Sequence, residues 1–180
     1  MAKKDVLGAL SPGQAQFVLN ELVSSESRIR KKAEEIALEL LGDVDVDDVA
    51  QDLLWELESI PVEQVWDNSG ATREGYVDPG DCAWQLFEDA LERFTRELER
   101  CRQLSLTEQA NLHCMGILKG IHRFETESTT EFKNSCVDAP GQFFVSVYDE
   151  WKKGARRKRD VSEMKKFIES LCPEKARHCK

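Results

Sequence analysis

Asp78-Pro-Gly-Asp-Cys-Ala-Trp-Gln-Leu-Phe-Glu-Asp-Ala-Leu-Glu-Arg-Phe-Thr-Arg-Glu-Leu98 is the stretch that decides the fold class. Asp78 offers a side-chain oxygen to the unpaired N–H groups of a first helical turn, and Pro79 brings the fixed φ of a first helical residue. Behind that start Trp84, Phe87, Leu91, Phe94 and Leu98 recur every three or four residues, while Glu88, Glu92, Arg93, Arg96 and Glu97 fill the other faces. That spacing predicts an amphipathic helix whose stripe of large side chains needs helical partners.

Working outward, Ser105-x-x-Glu108 has the form of a capping box and predicts the partner helix, with Leu112, Met115, Leu118, Ile121 and Phe124 inward. The two helices are expected to form an antiparallel hairpin. Gly116 and Gly120, four apart on one face, leave room for a neighbouring backbone. Asp138-Ala-Pro-Gly141 opens another helix, carrying Phe143, Phe144, Val147, Tyr148 and Trp151. Asp160-x-x-Glu163 is expected to cap a last one, with Met164, Phe167, Ile168 and Leu171 inward.

Upstream, Ser11-Pro12-Gly13-Gln14 carries a cap, a proline and a Gln three residues after the cap, opening a helix to about Val23. Ile29, Ala33, Ile36, Ala37 and Leu40 line one face of a second helix, expected to pack on that side. Asp45 caps a third, with Val49, Leu53, Leu54 and Leu57 inward, and Ile60-Pro61 ends it.

The expected fold is all-α, with roughly seven helices in consecutive antiparallel pairs, either an irregular solenoid of the HEAT or TPR sort or a compact helical bundle. No strand pair is expected. Residues 1–180 are read as one helical domain, with an N-terminal helical hairpin at 11–42, a main unit at 44–171 and a basic, frayed tail at 172–180.

The 180 residues hold 34 Asp and Glu against 25 Lys and Arg, a net charge of -9, with 41% apolar residues. That is too apolar for a disordered chain. The longest uncharged apolar stretch, Leu112 to Leu118, falls far short of the roughly 20 residues of a spanning helix, so no membrane partner is expected. The N-terminus shows no signal-peptide core, and a cytoplasmic location is expected. Six cysteines, at 82, 101, 114, 136, 172 and 179, contain no Cys-x-x-Cys and read as reduced thiols. Cys172, His178 and Cys179 cluster at a spacing that fits no standard zinc motif, so no metal is expected.

Two segments are candidates for contact. Between Trp66 and Tyr76 the chain loses its helical period and concentrates Trp66, Asp67, Asn68, Ser69, Thr72, Arg73 and Tyr76 between glycines, as recognition loops do. The alternative is that Trp66 and Tyr76 plug the core while the short polar residues cap neighbouring backbone. The second segment, Lys152, Lys153, Arg156, Arg157, Lys158 and Arg159, lies in a C-terminal stretch, 150–180, with 11 Lys or Arg against 5 Asp or Glu. Such a basic run steers nucleic acid or an acidic partner, or lies against the protein's own acidic surface.

Trp66 to Pro79, together with Ala83-Trp84, Gly116 to Gly120, Phe124-Glu125, Glu131-Phe132-Lys133 and Asp138 to Gly141, resembles a helical region of archaeal and bacterial proteins, some of them SWIM zinc-finger-associated. The likeness spans about Val44 to Leu171. It implies a helical, repeat-like accessory region and transfers no catalytic residue. A SWIM finger uses Cys-x-Cys followed by Cys-x-His, and neither is present here.

His113 and His122 are nine residues apart, which places them on opposite sides of one helix, and adjacent His113 and Cys114 point about 100° apart. Gly-x-Ser-x-Gly, a P-loop and His-Glu-x-x-His are absent. No catalytic residue and no cofactor are expected. The sequence points to a non-catalytic protein-binding or scaffolding module with an unidentified protein partner. The alternative is a nucleic-acid-associated accessory factor using residues 152–159.

Overall fold

Ser11 accepts from the Gln14 N–H while Gln14 Oε1 accepts from the Ser11 N–H at 2.9 Å, a reciprocal cap that starts helix α1 (Pro12–Ser25). Helix α2 (Ser27–Gly42) follows and packs on α1. In the computed structural model, which describes residues 6–73 and 75–177, the chain divides into two units between Asp43 and Val44. Neither α1 nor α2 buries a single residue, and Leu40 of the expected packed face stays 75% exposed. Two helices by themselves have no third layer to cover a stripe.

In the second unit the Asp45 carboxylate accepts from the Asp47 and Asp48 N–H groups and starts α3 (Val46–Glu58). After α4 (Val62–Asp67) two short strands, β1 (Gly70–Thr72) and β2 (Gly75–Val77), pair antiparallel with Ala71 opposite Tyr76. This hairpin corrects the expectation of no strands. Three-residue strands are too short to show the alternation by which strands are read from sequence.

Asp78 caps α5 (Pro79–Gln103) as expected, accepting from the Gly80 N–H at 2.8 Å. Its far end overturns the capping box at Ser105. Ser105 sits at φ +60, its N–H bonding Arg102 O at 3.0 Å while the Leu106 N–H bonds Cys101 O at 2.9 Å. This is the left-handed closure of α5, a position that usually takes glycine. Helix α6 (Thr107–Glu127) therefore starts from Leu106 without a side-chain cap.

The remaining helices are α7 (Glu131–Ser135), α8 (Ala139–Gly154), α9 (Lys158–Leu171) and α10 (Pro173–Ala176). Asp160 does not cap α9. It lies inside the first turn, only 3% exposed, and accepts from Arg157 Nε at 2.8 Å. The tail read as frayed packs instead through Ala176. Cys172 is 1% exposed, and Lys175 of α10 lies 4.9 Å from the centre of the Phe144 ring. His178 and Cys179 lie outside the described residues.

Helix α6 is the centre of this unit, packing against α3, α5, α8 and α9. Ile117, Leu118, Ile121 and Phe124 are fully buried, whereas Leu112 and Met115 sit at the margin and Cys114 takes the inward position. Phe87 of α5 stacks on Phe143 of α8 at 5.1 Å and meets Phe124 edge-on at 5.6 Å. The all-α expectation holds, since 79% of the described residues are helical. The closest helix pairing, α3 with α6, joins elements that are not consecutive, so this unit is a bundle around α6. No described helix is long and apolar enough to cross a membrane.

Candidate functional site

The 66–77 segment is held at both ends and open between them. Val65, fully buried, anchors α4, whose last turn closes when Asn68 donates both its backbone N–H and its Nδ2 to Gln64 O, at 3.2 and 2.9 Å. Gly70 at φ +96 turns the chain out of the helix into β1, a conformation open to glycine at little steric cost. At the other end Val77 packs against the core and Asp78 caps α5.

Alternation along β2 then sets the direction of its side chains. Val77 turns inward, so Tyr76 must turn outward, and it is 73% exposed. Trp66 is 60% exposed on the end of α4. Neither ring plugs the core, but the short polar residues do cap neighbouring backbone, Asn68 at Gln64 O and Ser69 Oγ donating to Trp66 O at 3.5 Å. Asp67, Asn68 and Arg73 are exposed as well, and Thr72 faces Gly75 in the hairpin register. Two aromatic rings thus stand in solvent on a short, hydrogen-bonded frame.

The basic segment is dispersed by its own neighbours. Lys153 Nζ donates to Glu150 at 2.6 Å, Arg157 to Asp160 at 2.8 Å and Arg159 to Glu163 at 2.8 Å. The Lys153 hydrogen bond, with help from Arg102, holds the Glu150 carboxyl below the ordinary carboxylate range. Lys152 lies over the Tyr148 ring at 5.8 Å. Arg156 and Lys158 are exposed and form no ion pair among the described residues. Arg156 also borders a cleft of about 520 Å³ between the end of α5 and the α8–α9 connection, with Arg102, Ser105, Asn111 and Trp151 in its walls.

Titratable groups inside the bundle are placed for packing. Burial pushes the thiols of Cys82 and Cys101 up, and that of Cys136 up to about 11, so they stay protonated at neutral pH and make poor nucleophiles. Burial lowers His113, against a smaller opposing effect of Glu97.

One convergence of donor side chains was not legible in the sequence. His122 of α6, Cys172 after α9 and Glu174 of α10 bring a ring nitrogen, a sulfur and a carboxylate oxygen within 4.8 Å of one another. About 50 residues separate the histidine from the other two, so no ligand spacing announces the group. It takes up Cys172 from the tail cluster expected to hold nothing.

No family model matches the chain, and neither a curated protein nor a solved structure matches it.

Proposed function

We propose that residues 44–177 form a non-catalytic protein-binding module that meets its partner through the 66–77 hairpin. One observation carries this reading: Trp66 and Tyr76 are 60% and 73% exposed on a segment whose two ends are fixed in the core. Large aromatic rings contribute most of the free energy at protein interfaces, and a frame already ordered before contact loses little entropy on binding. The raised, buried thiols fit a packing role for those groups.

The test is affinity capture from lysate with the wild type and a Trp66→Ala, Tyr76→Ala double variant, each melted in parallel. Loss of the captured partner with an unchanged melting temperature supports the reading. Equal capture by both proteins, or a loss that merely follows unfolding, contradicts it.

A second reading, contact with nucleic acid, draws support from Arg156 and Lys158, which are exposed and have no ion-pair partner among the described residues. Three of the six cations already have carboxylate partners, so fewer phosphate contacts remain than the basic run suggests. Binding to DNA or RNA at low salt that vanishes in an Arg156→Gln, Lys158→Gln variant supports this reading. Absence of binding removes it.

A further inference from the structure

We propose that His122, Cys172 and Glu174 form a binding site for one divalent transition-metal ion of the zinc class. Three different elements supply the donors. His122 projects from the last turns of α6, Cys172 ends α9 with its N–H on Ile168 O at 2.8 Å, and Glu174 lies in α10. All donor atoms lie within 4.8 Å of one another. Tetrahedral ligands bound at about 2.0–2.3 Å stand about 3.3–3.8 Å apart, so the side chains must draw together by about 1 Å to close the set.

The surroundings fit a cation. His122 Nδ1 is buried with no hydrogen-bond partner among the described residues and lies 4.0 Å from Glu125 Oε2. Ligation through Nε2 leaves Nδ1–H to this carboxylate, the outer partner that metal-bound histidines commonly use. Lys175 Nζ, the nearby ammonium, is already engaged by Glu125 and by the Phe144 ring. With Glu174 and Glu125 ionised the group carries two negative charges against the one positive charge of Lys175, and Cys172 adds a third as it gives up its proton to bind. A divalent ion neutralises the difference.

Nitrogen, sulfur and oxygen together select zinc or cobalt over magnesium and calcium, which take oxygen ligands. On binding, the Cys172 proton leaves to solvent and the sulfur bonds the ion. Three protein ligands leave the fourth position to water. Glu174 is exposed, so the group is reached from solvent on that side. The ion would clip the Cys172–Ala176 segment onto α6, independently of what the hairpin binds.

The test titrates the reduced full-length protein with Co(II), watching the near-ultraviolet charge-transfer band that requires a cobalt–thiolate bond. One equivalent with that band is expected, and Cys172→Ser should abolish the band. His122→Ala and Glu174→Gln should each weaken binding at least about ten-fold, the loss found even for outer-shell partners. Glu174 is exposed, so its variant leaves the core intact, and circular dichroism checks the other two. A His178→Ala, Cys179→Ser variant should bind as the wild type does. No thiolate band, a band that survives Cys172→Ser, unchanged affinity in Glu174→Gln, or binding lost with His178 and Cys179 would overturn the site.

Discussion

Gly116 of α6 sits so close to Val49 of α3 that a Cβ added to the glycine would lie 2.5 Å from the valine Cβ and 3.1 Å from the Val46 carbonyl oxygen. Gly120 repeats the approach one turn on, at 3.0 Å from the Ala50 carbonyl. The central pair of helices can approach this closely because neither glycine has a side chain.

Gly116→Ala therefore separates two opposed effects. Alanine in a helix interior gains about 1 kcal/mol over glycine, while overpacking costs about 1–3 kcal/mol. Contact with a backbone carbonyl that cannot move aside makes the second effect win. Urea denaturation should show a net loss of about 1–2 kcal/mol, partly restored by Val49→Ala. Gly141→Ala, with nothing within 4 Å of the added Cβ, should instead stabilise by up to about 1 kcal/mol.

Trp151 Nε1 donates to Asn111 Oδ1 at 3.0 Å, joining α8 to α6 where Trp151 is 2% exposed. Asn111→Leu strands a buried indole N–H, which costs about 1–3 kcal/mol. A Trp151→Phe background should remove most of that penalty, and a double-mutant cycle measures the difference.

Arg157 is expected to act on stability. It covers a carboxylate, Asp160, that is 3% exposed, and its loss leaves a buried charge without a partner. Arg157→Gln should lower the denaturation midpoint, with a loss of about 1–2 kcal/mol, the guanidinium being half in solvent. Arg156→Gln should leave it unchanged. A stability that is equal in both variants would contradict the assignment.

Stability should also fall on both sides of neutrality, for two opposite reasons. Burial raises the Cys136 thiol from 9.0 to about 11, so the folded state holds its proton longer than the unfolded chain, and stability drains away as pH rises from about 9 to 11. Cys82 and Cys101 shift in the same direction. His113 is lowered from 6.5, so the unfolded chain takes up its proton first and stability declines as pH falls below about 6.5. Melting temperature against pH checks both limbs.

Helices with a chemical start signal were legible in the sequence. Ser11, Asp45 and Asp78 all make the cap bonds their types predict, and the stripe from Phe87 to Leu98 is buried. Ser105 and Asp160 misled because the same residue types serve a left-handed turn or a first-turn ion pair, and tertiary packing decides which. The close approach at Gly116 and Gly120 was legible, but its partner was not, since α3 reaches α6 across the intervening hairpin and α5. The two candidate segments were legible as compositions. That Trp66 and Tyr76 face solvent follows from Val65 and Val77 taking the inward positions, a choice made by packing. The His122, Cys172 and Glu174 convergence depends wholly on the fold.

The central claim concerns the outward face of β2, and a photo-crosslinking amino acid placed at Tyr76 tests it most directly, with Glu169 on the solvent face of α9 as the control position. A single protein species crosslinked from position 76, absent from 169 and suppressed by Trp66→Ala, is the result the account predicts. Equal crosslinking from both positions, or none from 76 while a bound partner is recovered, would contradict it.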